Sequence, residues 1–209
     1  MTVLPYPAGT LGGRMDKRDV IEFFNRCSST WDAEMVLHEE LIAAILQNAG
    51  IRPGMDVLDV ACGTGVLFPF YLEHGVNAVT GIDISPEMIR LAGEKFRGEE
   101  RVHLICGDAE EYSGSAEYDM VMVYNAFPHF SDAKKLIAAL ASHLKQGGRL
   151  SIAHGMSRER VIAHHEGSAR HVSQILPPAE ELAALLQAQF DVDVVLSTAS
   201  MYQVCGTKR

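Results

Sequence analysis

Three observations predict an α/β fold built on a mostly parallel sheet. Short apolar runs alternate with helical patterns along most of the chain. Glycine and proline mark the joints between them. An acid recurs in the first three apolar runs: Asp59 lies within the first, Asp83 ends the second, and Asp108 follows the third. Strands separated by helices call for parallel neighbours, because a parallel pair needs a long crossover.

The elements follow in order. Asp16 to Cys27 places Val20, Ile21, Phe23 and Phe24 on one helical face, and Ser28-Ser29-Thr30-Trp31-Asp32 breaks that pattern. Met35 to Ala49 resumes it, and Gly50 and Pro53-Gly54 stop it. Met55 to Val60 is the first strand, followed by a helix from Val66 to His74. Ala78 to Asp83 is the second strand. Ser85-Pro86-Glu87 then starts a helix with an N-cap serine and a first-turn proline, running to about Phe96. Val102 to Cys106 and Tyr118 to Tyr124 are the third and fourth strands. A helix from Ser131-Asp132 to Leu144, ended by Gly147-Gly148, precedes a fifth strand at Arg149 to Ala153. Pro178 to Gln189 is the last helix. Two candidate strands close the chain, Val192 to Ser197 and Met201 to Cys205, and their short link permits only antiparallel pairing.

The chain has 209 residues, enough for one domain with a sizeable core, and its 47% hydrophobic content supports folding. No apolar run is long enough to span a bilayer. Met1 to Gly13 reads as a draped or flexible arm and not a signal peptide. The absence of export and anchor signals favours the cytoplasm. The 27 acids against 18 bases give a formal charge of −9, which opposes attraction to nucleic acid or anionic membranes. The four cysteines form no C-x-x-C pair and match no zinc framework, so free buried thiols are expected.

The most informative stretch is Val57-Leu58-Asp59-Val60-Ala61-Cys62-Gly63-Thr64-Gly65. An apolar strand carrying one acid runs into a loop of small residues. Gly63 and Gly65 let backbone approach a ligand closely. Phe68 stands where a dinucleotide-binding loop has its third glycine, so that match fails. Asp83 lies 18 residues beyond Gly65, where a carboxylate can accept from both hydroxyls of a ribose.

This order of strand, glycine loop and acids resembles the class I S-adenosylmethionine-dependent methyltransferases, over about Phe23 to Lys208. Ala61, where many members have glycine, is similar to the small-molecule, menaquinone-methylating branch. The resemblance implies a Rossmann-like three-layer sandwich, with a seven-stranded, mostly parallel sheet and a final antiparallel strand. It implies a single domain over residues 1–209. Residues 1–49 would form a helical lid over the cofactor, and an insert at residues 154–176 would cover the acceptor.

The cofactor would be S-adenosyl-L-methionine, released as S-adenosyl-L-homocysteine. Asp59, Ala61, Cys62, Gly63 and Gly65 would belong to the loop holding its methionine end. Asp83 would take the ribose, Ile84 and Met88 the adenine face, and Asp108 with Ala109 the adenine amino group. Asn125, at the end of the fourth strand, would contact the methionine part.

Methyl transfer from a sulfonium mainly needs alignment in a dry site, so no strong catalytic motif is required. The segment Phe127-Pro128-His129-Phe130 follows the fourth strand, and there His129 acts as a base, orients the acceptor or caps the next helix. The insert holds His154, His164, His165 and His171 with Glu166. Adjacent His164 and His165 point about 100° apart on a helix, and no H-x-x-x-H pair exists, so no metal is assigned. His129, His154 and His165 are the catalytic candidates.

The expected activity is methyl transfer to a small-molecule acceptor by in-line displacement. Aminopropyl transfer from the decarboxylated cofactor is the runner-up chemistry. A non-catalytic cofactor-binding module, or one subunit of a heteromeric enzyme, is the rival from another class. A nucleic-acid substrate is disfavoured by the charge and by Asn125-Ala126-Phe127-Pro128, which lacks a Pro-Pro-aromatic pattern. A homodimer is left open.

Overall fold

The computed structural model describes residues 15–115, 117–167 and 169–209. The N-terminal arm read from the sequence lies outside these residues. Helix α1 spans Lys17–Glu34 and is capped by the Asp16 carboxylate, which accepts from Arg18 N. It runs straight through Ser28–Asp32, where the sequence pattern predicts a break. Ser28 donates its hydroxyl to the Asn25 carbonyl at 2.8 Å, satisfying it within the helix. Trp31 packs edge-on against Phe24 two turns earlier, with ring centroids 5.7 Å apart. Weak local propensity is overridden by these contacts.

Helix α2 starts at Glu39, later than the predicted Met35, and ends at Ala49. Gly50 takes φ +82° and its N–H returns to Leu46 and Gln47 carbonyls. The next elements are β1 (Asp56–Val60), α3 (Phe68–Glu73), β2 (Ala78–Asp83), α4 (Pro86–Lys95), β3 (Val102–Cys106) and β4 (Tyr118–Tyr124). Helix α5 (Ala133–Ser142) stops before Leu144, and strand β5 (Leu144–His154) begins there. Gly147 and Gly148, predicted to end the helix, therefore lie inside β5. Gly147 has φ +75°, and the β4–β5 register shifts between Tyr118 and Met120. These glycines build a bulge, and the strand resumes behind it.

The insert folds as helix α6 (Arg158–His165) and a 3-10 turn at Arg170–Val172. Helix α7 (Ala179–Leu186), β6 (Phe190–Ser197) and β7 (Tyr202–Lys208) complete the chain. The seven strands form one sheet in the order β3-β2-β1-β4-β5-β7-β6. β1 pairs parallel with both β2 and β4, whereas β7 pairs antiparallel with β5 and β6.

Strand alternation divides the core. Leu58, Val60, Val121 and Val123 join α5 and α7 on one face of the sheet. Val57, Met120 and Met122 join α2 and α3 on the other. Both faces are covered, which is the three-layer arrangement expected. Chain order reverses between β1 and β4, so a crevice opens beyond their carboxyl ends. Among the described residues, no helix is long and apolar enough to cross a membrane.

Candidate active site

The two non-glycine residues with positive φ are Ala61 and Asn125, both at 54°, among the described residues. Each follows a strand at that reversal, β1 and β4. Left-handed backbone costs an L-residue about 1–2 kcal/mol, and such strain concentrates at functional sites. At Asn125 the side chain helps fix the turn, because Oδ1 accepts from Gly155 N at 2.9 Å. Ala61 has no such compensation. Ala61→Gly is therefore expected to leave stability unchanged or raise it by up to about 1 kcal/mol, read by urea denaturation. A loss above that amount would show that the Ala61 methyl carries packing that outweighs its strain.

A cavity of about 660 Å³ fills the crevice, within the range of small-molecule sites. Its floor is the loop after β1. Gly63 turns through φ +56° and donates its N–H to Asp83 Oδ2 at 2.8 Å. Ser85 N donates to Asp83 Oδ1, also at 2.8 Å. Two amides thus fix the carboxylate and leave lone pairs for a ligand diol. Burial raises the Asp83 pKa, and the two amides oppose that rise. Burial also pushes the Cys62 thiol up, with the Asp83 and Asp59 charges adding to it. Cys62 is therefore an inert filler.

Asp108 also lines the cavity, and Lys17 of α1 reaches its Oδ2. The same ammonium lies 3.0 Å from Glu110 Oε2. Burial disfavours the Lys17 charge, but the Asp108 and Glu110 carboxylates outweigh it and raise its pKa. Helix α1 is fastened at other points too. Asn25 Oδ1 accepts from Ser85 Oγ at 2.7 Å, and Asp32 accepts from Thr64 Oγ1 and from Lys95 Nζ.

Part of the lining carries imidazoles. His129 ends the 3-10 turn at Phe127–His129, and its Nδ1 lies 2.8 Å from the Val172 carbonyl. It does not cap α5, which Asp132 caps. His165 Nδ1 lies 2.7 Å from the Val161 carbonyl, and its Nε2 lies 3.4 Å from His129 Nε2. His154 closes β5, and its buried Nε2 has no hydrogen-bond partner among the described residues. Burial lowers the His129 pKa to about 4, against the Val172 carbonyl and helped by His165 and His164. It lowers His154 to about 3. These rings are neutral at neutral pH.

The methyltransferase domain family matches residues 57–148, from β1 into β5. Over residues 57–148 the chain is similar to a methyltransferase domain, and its fold is that of the class I S-adenosylmethionine-dependent enzymes. The chain is 31% identical over 140 residues to a malonyl-[acyl-carrier protein] O-methyltransferase of Acetivibrio thermocellus, covering 66% of this chain and 49% of that one. The chain spans about half the length of the curated relatives it matches, as also for the Priestia megaterium protein of the same name, at 47%. The menaquinone-methylating branch finds no support in these relatives.

Two solved structures share the fold. One is the N-methyltransferase NodS of Bradyrhizobium japonicum WM9, in complex with S-adenosyl-L-homocysteine. Its TM-score is 0.71 at 15% identity, covering 90% of this chain and 97% of that one. The other is magnesium protoporphyrin IX methyltransferase of Synechocystis PCC 6803. Its TM-score is 0.70 at 18% identity, covering 93% and 100%.

Within the matched region and its flanks, the structure gathers most of the predicted residues. Ala61, Cys62, Gly63, Asp83, Ile84, Met88, Asp108, Ala109 and Asn125 line the cavity, as do His129, His154 and His165. Asp59 and Gly65 do not. Asp59 is 2% exposed beneath the loop, and the Gly63 amide goes to Asp83 instead. Gly65 has φ +78°, and a Cβ there would lie 2.7 Å from the rings of Phe68 and Phe96. Its role is to let the loop close onto α3. Phe68, which breaks the dinucleotide pattern, fills the space below.

Lys17, Tyr124 and Arg160 also line the cavity, although sequence reasoning did not single them out. Lys17 and Asp108 are 91 positions apart, and no local signal joins them.

Proposed function

We propose that this chain binds S-adenosyl-L-methionine in the crevice and transfers its methyl group to a small-molecule acceptor. The observation that carries the reading is the Asp83 carboxylate on the cavity lining, held by two amides that leave it further lone pairs. A diol-bearing nucleoside suits that arrangement. Gly63 leaves the backbone bare there, and Ile84 and Met88 offer apolar contact to a base. The bound cofactor supplies a methyl group already activated on a sulfonium. The chain's own work is to orient the two reactants and exclude water.

The cavity extends past this loop to the histidine wall, which favours an enzyme over a binding module with a closed acceptor face. The charge of −9 favours a small acceptor over nucleic acid.

Helix α1, within the lid read over residues 1–49, roofs the site, and α6 with the turn at Arg170–Val172 walls the acceptor end. Calorimetry with S-adenosylhomocysteine tests the cofactor site, and it should show 1:1 binding. Hydrogen exchange tests the lid. Amides of Lys17–Glu34 should exchange more slowly once S-adenosylhomocysteine is bound. Heatless titration would remove the reading, and unchanged exchange would remove the lid.

A further inference from the structure

The histidine wall carries information about the acceptor, given that the cofactor reading above is right. The tautomers follow from geometry. A backbone carbonyl only accepts, so each Nδ1 that faces one must carry the proton. His129 Nδ1 faces the Val172 carbonyl at 2.8 Å, and His165 Nδ1 faces the Val161 carbonyl at 2.7 Å. Both Nε2 atoms are therefore bare in the neutral rings, and they face each other at 3.4 Å. Two lone pairs at that separation repel unless a proton lies between them. A third nitrogen, His154 Nε2, is buried within electrostatic reach of both rings and has no partner among the described residues.

Among the described residues, the ionisable groups around His129 are few. Helix α6 presents His164 and His165, with Arg160 on the cavity wall, and β5 presents His154. Helix α1 presents the Phe24 ring at 4.9 Å, and the segment after α6 presents the Val172 carbonyl and the Ser173 hydroxyl. None of these neighbours is a carboxylate. Among the described residues, no group of three or more His, Cys, Asp or Glu has the geometry to hold a metal.

We propose that His129 and His165 form a proton-accepting pair, selecting an acceptor whose nucleophile arrives with a proton: an alcohol, phenol, amine or thiol, not a carboxylate. The donor X–H satisfies the facing lone pairs, and a carboxylate, having only lone pairs, repels them. As the bond from X to the methyl carbon forms, the carbon–sulfur bond breaks and its electron pair stays on sulfur. The proton on X passes to His129 Nε2, and the X–H electron pair stays on X. His165 Nε2 then shares that proton. Burial keeps both rings unprotonated at neutral pH but weakens each as a base, and sharing the proton between the two facing Nε2 atoms offsets that weakness.

The test uses the full chain labelled with ¹⁵N-histidine and saturated with S-adenosylhomocysteine. Calorimetric binding of that product separately reports the cofactor reading. At neutral pH both rings should show protonated Nδ1 and bare Nε2. Phenol should move the two Nε2 resonances toward the protonated position, and benzoate, of similar shape, should not. An Nε2–H tautomer in either ring, no response to phenol, or a response to benzoate alone overturns the proposal.

A variant distinguishes sharing from mere crowding. The His165 charge by itself depresses His129, but loss of the facing lone pair that shares the proton should outweigh its removal, so with His165→Leu the His129 titration midpoint should fall by about one pH unit. His165→Gln, whose amide oxygen still accepts, should restore most of it. Simple repulsion between rings predicts a rise in both variants, and that rise overturns the pair. The affinity for S-adenosylhomocysteine should be unchanged in both.

Discussion

Asp83→Ala is expected to weaken S-adenosylhomocysteine binding about 100-fold, or about 3 kcal/mol. Two hydrogen bonds to a charged acceptor are lost, each worth about 1.5–3 kcal/mol when the partner is buried. The proposed ligand diol would face a hole. The Gly63 and Ser85 amides lose their acceptor as well, so the loop that forms the cavity floor loosens. Asp83→Asn keeps one carbonyl oxygen in place and should lose only about tenfold. Isothermal titration calorimetry reads both values, and urea denaturation separates the binding loss from the loss of stability. Equal affinity in wild type and Asp83→Ala would sink the cofactor site as drawn.

The second large effect concerns Asp59. Burial pushes its carboxyl up to about 8, the Tyr71 hydroxyl opposes the rise, and the Asp83 charge adds to it. The folded pKa exceeds the unfolded value of about 3.9. Between about pH 4 and pH 8 the folded chain therefore holds a proton that the unfolded chain has released. More protons bound in the folded state means that stability falls as pH rises through this window.

Asp59→Asn removes that dependence. The variant should match wild type near pH 4 and exceed it by about 2–5 kcal/mol at pH 8. Urea denaturation of both proteins at several pH values gives the difference directly. The histidines contribute a slope of opposite sign, but they are common to both chains and cancel. A difference that does not grow with pH would show that Asp59 is ionised in the folded protein.

These two acids illustrate what a sequence conveys about a site. Asp59 and Asp83 look alike there, since each sits in an apolar run near the glycine loop. Only the fold separates them: one faces the cavity, and the other lies beneath the loop with the core against it. Gly63 and Gly65 divide in the same way. Gly63 lines the cavity, whereas Gly65 lets Phe68 and Phe96 close beneath it. The break predicted at Ser28–Asp32 failed for a related reason. The residues that disfavour a helix locally are satisfied by Asn25 and by ring contacts along α1.

The chain's order of apolar runs, caps and glycines determined the architecture, because strand and helix periods and crossover lengths are local properties. It also determined the acids at the strand ends, since those places follow from strand boundaries alone. The tertiary structure decided which nitrogen of each histidine is bare, which acid meets the cavity, and that Lys17 reaches Asp108 across 91 positions. Those depend on carbonyls and carboxylates brought close by folding, and separation along the chain carries no trace of them.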